Sequence, residues 1–152
     1  MTESPSPSPP LPDYAVTIEV PILWGDQDAF GHVNNTVPIR WFETARIVCL
    51  ERCGMLALMR ASGVGPILAA VSCNFRLQLH YPDTVHVGVR ISRVGGSSFT
   101  MEHAVYSVGQ QAIAADGNST LVVFDYQTNR PRRISDDLRA AATRAETAGA
   151  MS

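Results

Sequence analysis

The chain has 152 residues, 45% of them apolar and 17% charged, with a formal net charge of −2. That length and balance fit one globular domain with a real core. They give no electrostatic case for nucleic acid or a membrane surface, and no apolar run approaches the ~20 residues of a spanning helix.

Residues 1–13, with Ser-Pro-Ser-Pro-Ser-Pro-Pro-Leu-Pro at their centre, read as a disordered Pro/Ser-rich tail. The N-terminus has neither the basic flank nor the apolar stretch of a signal peptide. Cys49, Cys53 and Cys73 therefore read as reduced thiols in a cytoplasmic protein. Cys49 and Cys53, four apart, suit buried apolar positions better than a metal pair.

A single domain is expected over residues 14–139. Val16, Ile18, Val20 and Ile22 alternate with more polar neighbours and predict a strand over 14–23, at an edge because of Pro21. A polar loop follows. Asn35 or Thr36 caps a helix with Pro38 in its first turn, running to Cys53 and stopped by Gly54. Phe42, Ala45 and Cys49 form its apolar stripe, widened by Trp41, Val48 and Leu50. A short helical turn over 56–61 ends at the breakers Gly63-Val-Gly-Pro66. Four alternating strands complete the domain: Val71 to Leu79, Val85 to Ile91, Phe99 to Val105, and one ending at Tyr126. Gly95-Gly96 marks a hairpin and Gly117 a bulge. From residue 140 a C-terminal tail starts as a short helix and frays. An antiparallel sheet of about five strands must cover its apolar face, and only the long helix is available. The expected fold is α+β, a curved sheet wrapped around one helix.

Residues 24–36, Trp-Gly-Asp-Gln-Asp-Ala-Phe-Gly-His-Val-Asn-Asn-Thr, gather two carboxylates, a histidine and two amides just before that helix. Backbone N–H groups at a helix start stabilise developing negative charge, and a nearby carboxylate serves as base or nucleophile. This suits attack on a polarised carbonyl. Asp26 reads as a turn-former.

Asp28-Ala-Phe-Gly-His-Val-Asn-Asn, with Arg40-Trp-Phe-Glu-Thr-Ala-Arg46, resembles the 4-hydroxybenzoyl-CoA thioesterase-like group of the hotdog-fold superfamily over roughly residues 15–135. The resemblance implies a hotdog fold and hydrolysis of an acyl-CoA or acyl-carrier-protein thioester. Asp28 is then the catalytic carboxylate, with Asn35 and His32 beside it. It also implies a homodimer or homotetramer with a shared active site, and no cofactor or metal beyond the coenzyme A of the substrate. The family usually carries an aromatic residue where Pro38 stands, which puts substrate choice in question.

Glu43 is a candidate for the acyl pocket or the attacking water, against a plainer role in a salt-bridged seam with Arg40 and Arg46. Ser97 and Ser98 lie in the hairpin that the family places near the coenzyme A arm. Arg132, in a basic cluster with Arg130 and Arg133, is a candidate for its phosphates. His80, His86 and His103 offer no metal-ligand spacing. Two rival readings are a non-catalytic acyl-binding or scaffolding module of the same fold, and a hydratase.

Overall fold

The computed structural model describes residues 10–149 and 151. Its sheet comprises β1 (Val16–Pro21), β2 (Val64–Phe75), β3 (Thr84–Val94), β4 (Ser98–Ser107), β5 (Ala112–Asp125) and the two-residue β6 (Arg130–Pro131). All pairings are antiparallel, in the order β1-β3-β4-β5-β2, with β6 beside β5. The sheet curls into a half-barrel around helix α1 (Thr36–Cys53). This is the hotdog fold.

Alternation drives the arrangement. Val85, Val87, Val89 and Ile91 of β3 point to one face and are buried against Phe42, Ala45, Cys49 and Leu50 of α1. Each such side chain contributes roughly 1.5–3 kcal/mol. Gly54 ends α1 in the left-handed region at φ +91°, which leads directly into α2 (Met55–Ala61). Burial pushes the Cys49 thiol up to about 12, as suits an inert core position.

Four expectations need correction. First, β2 starts at Val64, with Gly65 and Pro66 inside it, so only Gly63 breaks the chain there. Because β2 is an edge strand, the missing proline N–H removes no necessary ladder bond. Second, Gly117 sits in regular register, and the irregularities in the pairing of β5 lie opposite Leu68–Ala70 and Val105–Tyr106. Its need is space: a Cβ there would stand 1.9 Å from the Ser72 carbonyl oxygen.

Third, the tail expected over 1–13 does not extend to residue 13. Residues 1–9 lie outside the described residues, but Leu11 is buried. Leu11 and Tyr14 lie over Gly88 on the convex face, and Ala104, the cross-strand partner of Gly88, is buried with them. Arg90 holds this strap by stacking on the Tyr14 ring and donating to the Asp13 carbonyl. Fourth, the short helix expected from residue 140 starts earlier, at Asp136, ends at Thr143 and packs on the domain instead of trailing as a tail. α3 (Asp136–Thr143) is capped by Ser135, whose hydroxyl accepts from the Leu138 N–H. Leu138, Ala141, Ala142 and Ala145 are buried, and the Ala145 carbonyl accepts from the Ile91 N–H at 2.7 Å.

One polar cluster interrupts the core. Arg46 of α1, Ser119 of β5 and His103 of β4 are all buried. Arg46 Nη1 lies 3.0 Å and His103 Nε2 2.8 Å from Ser119 Oγ, and the imidazole stacks on Phe42. Burial, with the positive Arg46 nearby, pushes His103 down to about 3, so it is neutral at ordinary pH. The expected Arg40–Glu43–Arg46 seam does not form: Arg46 turns inward, and among the described residues no ion pair lies on α1.

Candidate active site

The loop before α1 is built by short polar turns. Asp26 Oδ2 accepts from the Leu23 N–H at 2.8 Å, and the Asp26 carbonyl accepts from the Asn34 N–H. Asp26 is thus the turn-former its position suggested. Asp28 Oδ1 accepts from the Phe30 N–H at 2.9 Å, and its backbone exchanges hydrogen bonds with Gly31 and His32. Gly31 takes φ +85°, which a glycine adopts without the Cβ penalty. Among the described residues Asp28 Oδ2 has only the Asn34 amide, at a long 3.5 Å.

Asn34, rather than Asn35, provides the side-chain cap. Its Oδ1 accepts from the Thr36 N–H at 2.9 Å and from the Thr36 hydroxyl at 2.8 Å, while its carbonyl accepts from the Val37 N–H. Asn35 has helical φ and ψ, and its side chain caps nothing. The accounting of donors at this helix start is informative. Thr36 and Val37 are satisfied, and Pro38 has no N–H. Among the described residues the Asn35 N–H has no acceptor.

That donor stands at a cleft of about 160 Å³ lined by His32, Val33, Asn35, Pro38, the segment 75–79, Ala114 and Ala115. His32 is half-buried there and meets His80 edge-on, with ring centroids 5.6 Å apart. Asp28 does not line this cleft, but it belongs to the same loop. The segment after β2 clamps that loop. Val33 N–H donates to the Leu79 carbonyl, His80 Nδ1 lies 3.1 Å from the Gly31 carbonyl, and the Tyr81 N–H reaches Gln27. Of these residues His32, Asn35 and Pro38 stood out in the sequence, whereas the segment 75–79, Ala114 and Ala115 did not. The alternation had extended this strand to Leu79, but β2 ends at Phe75 and the residues that follow it turn to the cleft.

The other candidates lie elsewhere in the single chain. Glu43 is exposed on the outer face of α1, beside Arg40, Thr44 and Ile47, and does not reach the cleft. Ser97 and Ser98 sit beside Val123 and Val122 of β5, whereas Ala115 of that strand lines the cleft. The seven intervening residues put the hairpin about 23 Å away along the strand. Arg132 is at that same far end, paired with Asp125 and donating to the Ser62 carbonyl. Among the described residues no group of three His, Cys, Asp or Glu side chains is placed to hold a metal ion.

Comparison with known proteins agrees with this architecture. The family model described as the thioesterase-like superfamily matches residues 22–142. The PA5185 protein of Pseudomonas aeruginosa strain PAO1 superposes with a TM-score of 0.76 at 29% identity, over 88% of this chain and 93% of that one. A thioesterase from Thermus thermophilus, solved with coenzyme A and zinc, gives a TM-score of 0.75 at 28% identity over 88% and 95%. The long-chain acyl-CoA thioesterase FadM of Escherichia coli (strain K12) is 22% identical over 74% of this chain and 85% of its own. The match to a further curated relative, from Bacillus subtilis (strain 168), spans 56% of that protein's length. With that family model covering 22–142, most of its length, the chain belongs to the thioesterase-like superfamily.

Proposed function

We propose that the protein hydrolyses the thioester of an acyl-coenzyme A or an acyl-carrier protein, with Asp28 as general base or nucleophile. The observation that carries this reading is the unsatisfied Asn35 N–H at the helix start, on the cleft and seven residues from Asp28. It is a preorganised donor for a carbonyl oxygen gaining negative charge, and such a donor is typically worth 10²–10³ in turnover. In the base route, Asp28 takes a proton from water as the oxygen bonds to the carbonyl carbon. Collapse then expels the thiolate, which takes up the proton, leaving a free acid and a thiol. In the nucleophile route, the Asp28 carboxylate attacks the carbonyl carbon and the C–S bond breaks to expel the thiolate, leaving a mixed anhydride. Water opens it to the free acid and Asp28, and the released proton goes to the thiolate. His32, on the cleft wall, orients the thioester or the water.

The chemistry named for FadM and the coenzyme A in the Thermus structure support an acyl-CoA substrate. The exposed edge of β2 supports a dimer. Leu68, Val71 and Phe75 are each more than a third exposed along it, an edge that invites pairing. Antiparallel pairing of two β2 strands about Ala70 would set Phe75, at the cleft, opposite Gly65 of a second copy. The Asp125–Arg132 end of that copy would then approach the cleft, which gives Arg132, Ser97 and Ser98 a place in a shared site. No helix is long and apolar enough to cross a membrane among the described residues. The free thiols suit a cytoplasmic setting.

Thiol release from a panel of acyl-coenzyme A substrates, straight-chain and aromatic, tests this reading. Turnover at kcat/KM above about 10⁴ M⁻¹s⁻¹ for some member is expected of an enzyme. Tight binding of every thioester without thiol release would instead make the protein an acyl-binding module.

A further inference from the structure

The buried polar cluster is an expense that the fold alone does not explain. A guanidinium taken out of water needs a carboxylate or a full set of acceptors. Arg46 is 5% exposed, has one hydrogen bond, to Ser119, and has no carboxylate within 4 Å among the described residues. Burial pushes its pKa down more than the charge of exposed Glu43 pushes it up.

The direction of the hydrogen bonds follows. Arginine only donates, so Arg46 gives a proton to Ser119 Oγ. The serine proton then has His103 Nε2 as its acceptor at 2.8 Å. Nε2 is therefore unprotonated, and the proton of the neutral ring is on Nδ1. That Nδ1 is the one buried side-chain polar atom without a partner among the described residues. The cluster thus has spare donors on both Arg46 and His103, and no spare acceptor.

Its place is also informative. Ser119 shares the concave face with Ala115 and Gly117 of β5, and its cross-strand partner on β2 is Val71. Val71 and Phe75 are 38% and 48% exposed, and Cys73 between them is half-buried. The concave positions of β2 between the cleft and Ser119 are therefore apolar and partly exposed. From Ala115 to Ser119 is four strand residues, about 13 Å. From Pro38 to Arg46 is eight helical residues, about 12 Å. The two estimates agree.

We infer that Arg46, backed by Ser119 and His103, recognises an acceptor-bearing far end of the acyl group, so that the preferred substrate ends in a carboxylate rather than a methyl. This rests on the proposed thioester-binding cleft. At about 1.3 Å advance per carbon–carbon bond, the span corresponds to an acyl chain of roughly ten carbons.

Binding, which needs no turnover, tests it. Non-hydrolysable thioether analogues of coenzyme A with chains of about eight to twelve carbons, ending in methyl or carboxylate, are titrated by calorimetry. The full-length protein should bind the carboxylate-ended analogue at least about tenfold more tightly, about the worth of one charge-assisted hydrogen bond. Arg46→Met should abolish the ratio. Removing a buried cation for an apolar side chain of similar volume is usually tolerated, and Ser119→Ala, which should shrink the ratio, is a second variant if the first does not fold. Equal or tighter binding of the methyl-ended analogue, or a ratio that survives Arg46→Met, overturns the inference. So does loss of the dimer in Arg46→Met with the ratio unchanged, which would assign the guanidinium to an acid of a second copy. A protein that keeps the preference but releases no thiol contradicts the hydrolase and leaves this inference standing.

Discussion

Acidification should destabilise this fold well before its carboxylates titrate, and His103 is the reason. In the folded protein its imidazole titrates at about 3, against an ordinary value of 6.5. Between those values the unfolded chain binds one more proton than the folded chain. Stability therefore falls as pH falls, by up to about 1.4 kcal/mol per pH unit. From pH 7 to pH 4.5 the loss attributable to His103 is about 2–3 kcal/mol, a large part of a typical 5–15 kcal/mol. Asp116 and Asp125 have depressed pKa values, through the Arg76 hydrogen bond and the Thr128 N–H respectively, so their losses come only below the ordinary 3.8. The window above pH 4.5 thus separates the histidine. Urea unfolding of the protein and of His103→Gln, at fixed concentration between pH 7 and 4.5, measures it. The variant should be less stable at pH 7 and should have a flatter pH profile, because the other histidines are common to both. Parallel profiles would refute a buried, neutral His103.

Asn34→Ala removes both the helix cap and the amide nearest Asp28, and should lower stability by about 1 kcal/mol and thioester hydrolysis by about tenfold, read by thermal unfolding and thiol release. Gly88→Ala would place a Cβ 2.7 Å from Tyr14 and 2.9 Å from Leu11. Displacing the strap should cost about 1–3 kcal/mol, or several degrees of Tm, with hydrolysis unchanged because the strap is on the convex face. Gly117→Ala, whose Cβ would meet the Ser72 carbonyl at 1.9 Å, should fail to give soluble folded protein or should unfold far earlier by circular dichroism.

Much of the frame is legible in the sequence because it rests on periodicity. The alternation of β3 and β4 and the stripe on α1 set which faces meet, and Gly54 ends the helix as its position suggests. The loop acids were legible as a pair, and Asp26 holds its turn as expected. What spacing does not carry is direction. Arg46 looked like one end of a surface seam, but it turns inward to a serine 73 residues away. Asn34 and Asn35 differ by one position, and only the backbone angles decide which amide caps. Gly65 and Pro66 read as breakers because their tolerance depends on β2 being an edge, a property of the whole sheet. The helix after Ser135 had a usable signal in Ser135-Asp-Asp-Leu, a cap with acids in the first turn. The cleft walls come from three separate segments, which no local motif connects.

The most direct measurement of the central claim is kcat/KM for thioester hydrolysis by the unaltered protein, Asp28→Asn and Asp26→Asn, side by side on the best acyl-coenzyme A substrate. Asp28→Asn keeps size and loses basicity and nucleophilicity, so a fall of roughly 10³ or more is expected with the fold intact. Asp26→Asn loses one charged acceptor in a turn and should cost far less. A larger loss in Asp26→Asn than in Asp28→Asn, or full activity in Asp28→Asn, would contradict Asp28 as the group that drives hydrolysis.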